Sequence, residues 1–180
     1  MQDFYINVFI ENYQIFTQGG MEGKWISLPI DKKNLKQVLE SIGVKDGKYI
    51  LTDIDTNIYK LPNEYNIENC SIEFLTEILD ILGEMEKEKV RAYLKSDMLL
   101  KEILENSENL ELIPVKDHIH KFGNNFEKIG ISIIDEQFGG IDKIDRKILE
   151  LFFDYESYGQ AQNDNYGYEY TKYGVIRRYY

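Results

Sequence analysis

Glu73, Glu77, Asp80, Glu84 and Glu88 recur at spacings of 4, 3, 4 and 4, the interval at which side chains stack on one face of a helix. Five carboxylates on one face form an ionic surface for lysine, arginine or a metal cation. On a straight helix the rise from 73 to 88 is about 22 Å, or roughly one carboxylate per 5.6 Å of axis. A DNA strand offers a phosphate about every 3.4 Å. The row thus resembles a diluted row of phosphates, and it reads equally well as the solvated face of an amphipathic helix.

A second group of candidates lies at Asp117, His118 and His120. The chain's two histidines stand two apart, which on a strand puts both rings on one side, where they can hold zinc together with a carboxylate. A metal-dependent hydrolase built on these three residues is the alternative this pattern offers. No third histidine and no HExxH motif accompanies it, so an exposed loop or strand edge is the reading it favours. Asp53 with Asp55, and Asp142 with Asp145, are carboxylate pairs of the kind used for acid/base or Mg²⁺ chemistry. Such pairs are common in a chain with 32 acids. Gly19-Gly20 and Gly139-Gly140 lack the Lys-Ser/Thr of a phosphate loop, and no serine triad or activated cysteine is present. No pattern asks for a cofactor or for catalysis, and no enzyme is expected.

Charge narrows the partners. The 180 residues carry 32 acids and 21 bases, a formal charge of −11, which repels nucleic-acid phosphates and anionic membranes and favours basic surfaces, neutral ligands or cations. An acidic surface kept for solubility has the same sign. With 43% apolar residues the chain has enough core to fold. Cys70 is the single cysteine, so there is neither a disulfide framework nor a cysteine zinc site within one chain. The start, MQDFYINVFIE, alternates polar and apolar residues rather than forming a signal peptide, and no apolar run nears the roughly 20 residues of a membrane span. A reducing cytosol is the expected location.

Three segments position the candidates. Residues 1–67 hold nine acids and seven bases, 68–113 twelve and five, and 114–180 eleven and nine, so the middle carries most of the excess. The first segment reads as mixed α and β. FYINVFI, GKWISLP and KYILTDI are strands, and Asp31 caps a helix from Lys32 to Ile42 that Gly43 stops. The second is helical: after Ser71 as N-cap, Ile72, Leu75, Ile78, Leu79, Leu82 and Met85 repeat at helical spacing to about residue 86 or 88. KVRAYLK and DMLLKEILEN follow as two shorter helices around a break at Ser96. The third segment is mixed again. LELIPV is a strand, NNFEKIGISIIDEQ a capped helix, and IDKIDRKILELFFDYESYG a longer helix with Ile144, Ile148, Leu151, Phe152 and Tyr155 on one side. Leu149 and Phe153 fall on another side, to be covered by the same chain or by a second copy. YGYEYT and GVIRRYY suggest a hairpin about Lys172 to Gly174, with Tyr166, Tyr168 and Tyr170 sharing one strand face over the tail helix.

The run FYINVFIENYQIFTQGGMEGKWISLPIDKKNLKQVLESIG resembles the opening of the ArdA antirestriction proteins: an aromatic strand, Asn12-Tyr13, then Gly23-x-Trp25-x-x-Leu28-Pro29 and a helix ending Ile42-Gly43. YILTDID, with Asp53, resembles the family's Ile-x-Asp strand. FFDYESYG, Phe152 to Gly159, resembles its Asp-Tyr-Glu-aromatic-Gly segment. The resemblance implies an α+β protein, an elongated and curved chain of three small modules. Its implied function is that of a DNA mimic, carried on a mobile genetic element and acting in the cytoplasm, that occupies the DNA-binding groove of type I restriction-modification enzymes. It also implies a homodimer joined through the C-terminal part. On this chain the implied phosphate-replacing acids are Glu73, Glu77, Asp80, Glu84, Glu88, Glu102, Glu105, Asp154 and Glu156, and the implied dimer residues are Leu149 and Phe153. The chain departs from the family after Gly159, where Gln160, Ala161, Gln162 and Asn163 replace an Arg-Asp and further acids.

Overall fold

A computed structural model describes residues 4–117, 119–121, 123–139, 143–145, 147, 150, 151 and 153–178. The fold is α+β, with two small antiparallel sheets and helices around them. Its contacts gather into two compact units, Met1–Met85 and Glu86–Tyr180.

In the first unit, strand β1 (Ile6–Asn12) lies between β2 (Gly23–Ser27) and β3 (Tyr49–Thr56), antiparallel to both. Alternation explains its place. Ile6, Val8 and Ile10 are fully buried on one face, while Asn7, Phe9 and Glu11 point to the other. The β1–β3 register shifts between Phe9 and Ile10: Phe9 pairs with Asp53 and Ile10 with Leu51, which leaves Thr52 as an extra residue. Such a bulge re-aims side chains.

Helix α1 (Tyr13–Thr17) follows β1 directly, a turn that periodicity does not mark. Helix α2 (Lys32–Ser41) starts as expected, with the Asp31 carboxylate accepting the Asn34 amide at 2.9 Å. Gly43, at φ +71°, takes the left-handed conformation that ends it. Asn12 joins these pieces. Its side-chain oxygen accepts the amides of Gln14 and Ile15, and its amide nitrogen donates to the Ile42 carbonyl at 3.1 Å.

Helix α3 (Lys60–Glu64) leads to α4 (Ile72–Glu84). The Ser71 hydroxyl caps α4 by accepting the Phe74 amide at 3.1 Å, and the Phe74 ring packs on Tyr65 at 5.3 Å. Ile72, Leu75, Ile78, Leu79 and Leu82 are buried, as the spacing predicts. The helix ends earlier than the pattern suggests. Met85 and Glu86 are extended (ψ 153° and 134°), and a new helix, α5 (Lys87–Lys95), starts after them. Gly83 weakens the last turn of α4, and Met85 repeats the apolar spacing without continuing the helix.

In the second unit, α6 (Leu100–Glu105) follows the break at Ser96. Strand β4 (Leu110–Ile113) pairs with β6 (Gly174–Arg178), which in turn pairs with β5 (Glu169–Thr171), all antiparallel. The β5–β6 hairpin turns at the residues the sequence suggests. Helix α7 (Asn125–Gln137) is capped by Asn124, whose side chain accepts the Glu127 amide at 2.9 Å.

The last helix corrects the sequence reading. Phe153 and Asp154 are not helical, and helix α8 runs from Tyr155 to Tyr166 rather than ending at Gly159. Asp154 is a strong N-cap, so it restarts the chain where the apolar periodicity runs through it. Leu151, expected in the core, is 75% exposed. Tyr166, Tyr168 and Tyr170 do not share a strand face: Tyr166 closes α8, Gly167 at φ +63° reverses the chain, Tyr168 is buried, and only Tyr170 belongs to β5.

Helices α7 and α8 cross at two glycines. A Cβ on Gly130 would run into the Tyr155 carbonyl, and one on Gly159 into the Phe126 carbonyl. Around this crossing Ile119, Ile131, Ile134 and Tyr155 form one apolar cluster, and Ile113, Ile129, Ile133, Tyr168 and Val175 another.

Candidate functional site

Helix α4 sets out the densest group of acids. Its apolar face is buried, so the positions opposite it, Glu73, Glu77, Asp80 and Glu84, stand exposed at spacings of 4, 3 and 4. Glu73 lies in the first turn, where the helix dipole favours a negative charge. Its charge also reaches Tyr49: burial, and after it the Glu73 carboxylate, pushes the Tyr49 phenol above its usual range. Glu77, Asp80 and Glu84 make no hydrogen bond or ion pair among the described residues. All three face solvent.

Glu88 is not part of this face. It belongs to α5, in the other unit, where it is exposed and ion-paired with Arg91 at 3.1 Å. The single five-acid row expected from spacing is thus four acids on one helix and one on the next.

The remaining candidates in the second unit are exposed but engaged. Glu102 accepts the Leu99 amide at 2.9 Å at the start of α6. Glu105 lies 3.6 Å from Lys101, one turn away. The Lys101–Glu105 pair is a surface ion pair of the kind that contributes little to stability, whereas the Glu102 bond satisfies a backbone amide at the helix start. Asp154 caps α8 with both oxygens: Oδ1 accepts the Ser157 amide at 3.0 Å and Oδ2 its hydroxyl at 2.7 Å. The backbone and side-chain bonds from Ser157 hold the Asp154 carboxyl below its ordinary range. Glu156 is exposed in the first turn of α8. Glu86 and Glu108 are exposed as well, and neither lies on a periodic face that would mark it in the sequence.

Of the two dimer candidates, Leu149 lies outside the described residues. Phe153 is half-buried and packs in its own unit, against Tyr155 at 4.8 Å and Tyr158 at 5.3 Å. Among the described residues of this unit, Leu99, Phe138, Leu151 and Tyr166 are exposed large apolar side chains. No periodic spacing marks Phe138, which stands just past the end of α7.

His120 does not lie on a strand. His118 lies outside the described residues, Asp117 is exposed, and His120 sits in a 3-10 turn, Ile119–Lys121, with Ile119 buried. His120 Nδ1 is 2.7 Å from the Tyr170 hydroxyl, which occupies that ring nitrogen. Among the described residues no group of three His, Cys, Asp or Glu side chains is placed to hold a metal ion. Nor is any described helix long and apolar enough to cross a membrane.

Glu77, Asp80 and Glu84 thus form an exposed anionic face on α4. No curated protein matches the chain. A family model described as antirestriction protein (ArdA) matches residues 8–177, and the chain belongs to that family.

Proposed function

We propose that the protein is an inhibitor without chemistry of its own, a DNA mimic that fills the DNA-binding groove of a type I restriction-modification enzyme in the cytoplasm. The observation that carries this reading is the unpaired acidic face of α4, with Glu77, Asp80 and Glu84 exposed and free of internal partners among the described residues. Glu73 extends it, and Glu88, Glu102, Glu105, Asp154 and Glu156 add charge elsewhere. Along α4 the four carboxylates fall about 5.5 Å apart on average, so one helix face supplies less charge than a DNA strand. Reaching duplex-like density takes further elements, and in this reading a second copy.

The proposal includes a homodimer joined through the C-terminal part, in which three functional segments, 1–67, 68–113 and 114–180, follow an elongated, curved path. Leu149 and the exposed half of Phe153 are contact candidates, and carriage on a mobile genetic element completes the picture. Ion pairs made across such a groove are screened by salt. Purified protein should therefore block both DNA modification and cleavage by a type I enzyme at low salt and lose potency as salt rises. An enzyme that stays fully active at excess inhibitor and low salt overturns the proposal.

A further inference from the structure

On the outer face of the first sheet a cavity of about 370 Å³ is lined by Phe9, Glu11, Met21, Trp25, Thr52 and Asp53. We propose that this cavity is a receptor for an arginine side chain presented by a protein partner. The inference goes beyond the acidic face of α4 and does not depend on it.

Three features make the cavity a built site. The first is Gly23, which faces Glu11 across the β1–β2 ladder. A Cβ there would come within 2.6 Å of Glu11 Cγ and 2.7 Å of Phe9 Cε1, so the Glu11 and Phe9 side chains take their places in the cavity wall only because residue 23 has no side chain. The second is the bulge. Neighbours on a regular strand point to opposite faces, yet Thr52 and Asp53 both line this cavity, and Thr52 is the residue the register shift leaves over. The third is Glu11, only 5% exposed. One of its oxygens accepts the Thr52 hydroxyl at 2.5 Å, and the other accepts no hydrogen bond among the described residues.

The second oxygen of this largely buried carboxylate is left open to a partner that would offset the hydration Glu11 has lost. The lining supplies two carboxylates and no base, so a cation completes it. The aromatic wall selects which one. Trp25, 47% exposed, is braced by Phe9 with ring centroids 5.5 Å apart. A planar guanidinium can stack on that indole while its fork of N–H donors engages a carboxylate, a combination that a lysine ammonium does not reproduce. Met21, 84% exposed at the rim, adds an adaptable apolar surface for the methylene stem. The volume lies near the lower end of ligand pockets, which run about 300–1,000 Å³, and suits a side chain rather than a large cofactor.

Trp25 is the only tryptophan in the chain, so its fluorescence reports occupancy directly. Titrating the full-length protein with N-acetyl-arginine amide should give a saturable change at millimolar concentration. The lysine and citrulline analogues should bind at least fivefold more weakly. Glu11→Gln, which still accepts from Thr52, should weaken arginine binding at least tenfold without altering the circular dichroism or the melting temperature. Gly23→Ala should abolish the response. A citrulline derivative that binds as well as arginine, a lysine derivative that binds better, or an unchanged Glu11→Gln variant overturns the assignment. No restriction enzyme enters the measurement, so its outcome is separate from that of the inhibition assay.

Discussion

Asp154 carries both a surface charge and the cap of α8, which one substitution can fail to separate. Replacing it with alanine removes both the charge and the cap of α8. Asp154→Asn, by contrast, would keep an oxygen for the Ser157 amide, since asparagine is as good an N-cap as aspartate. If Asp154 replaces a phosphate, the asparagine substitution should weaken inhibition while leaving the unfolding midpoint near that of the parent; Asp154→Ala should lower both. Because its folded-state pKa lies below the unfolded value, the cap contributes stability above the ordinary aspartate range. That contribution fades as pH falls through the folded-state pKa, so an acid titration of Asp154→Asn should lack this part of the loss. Asn12 is the opposite case, a buried amide with no charge to offer. Its side chain serves the start of α1 and the end of α2 together, so Asn12→Ala should cost about 1–3 kcal/mol in denaturant unfolding. Its neighbourhood in the family resemblance is visible in the sequence. The carbonyl it meets 30 residues away is not, because a side-chain hydrogen bond across the fold leaves no periodic trace.

At the scale of elements, helices with a capped start and one apolar face were legible: α2 and α4 begin where Asp31 and Ser71 predict, and α7 lies in the segment read as a capped helix. Ends were less so. α4 stops at Glu84 although Met85 keeps the spacing, since an apolar residue at the right interval fits an extended link as well as a helical turn. The stop moves Glu88 to another helix and shortens the acidic face. Gly83 is part of this, and among the described residues nothing lies within 4 Å of a Cβ placed on it. Gly83→Ala should therefore stabilise the protein by up to about 1 kcal/mol, measured as a higher denaturation midpoint. The α7–α8 crossing was illegible for another reason. Gly130 and Gly159 are far apart in sequence, and only the fold makes them neighbours. Gly159→Ala pushes a methyl into the Phe126 carbonyl and should destabilise the protein by about 3 kcal/mol or more. The measure is loss of near-ultraviolet circular dichroism and a lower melting temperature.

For the whole molecule, composition set the sign of the partner but not its address. A charge of −11 disfavours a polyanion as partner and leaves open which acids act, because most surface acids look alike in sequence. The structure divides them by what they already hold: Glu88 and Glu105 have bases beside them, Glu102 and Asp154 close helix ends, and Glu77, Asp80 and Glu84 make no hydrogen bond or ion pair among the described residues. The triple variant Glu77→Lys, Asp80→Lys, Glu84→Lys should weaken inhibition at least tenfold, with single reversals intermediate; Glu88→Lys should do less. Inhibition that survives the triple change removes α4 from the contact. Self-association belongs to this scale too. Phe138 and Leu151 leave apolar surface exposed in the second unit, so Phe138→Asp with Leu151→Asp should convert a dimer to monomers in light scattering if the C-terminal part forms the joint.

The close approach at Gly130 and Gly159 also limits how this sequence can change. A side chain added at either position meets backbone, and backbone cannot be trimmed by a second substitution. Room lost at one glycine is therefore not recovered by making a neighbouring side chain smaller. In a saturation library scored for folding, both positions should admit glycine alone, while Gly83 should accept most residues. The second unit thus has two positions whose identity is dictated by its own construction, whatever partner the protein meets.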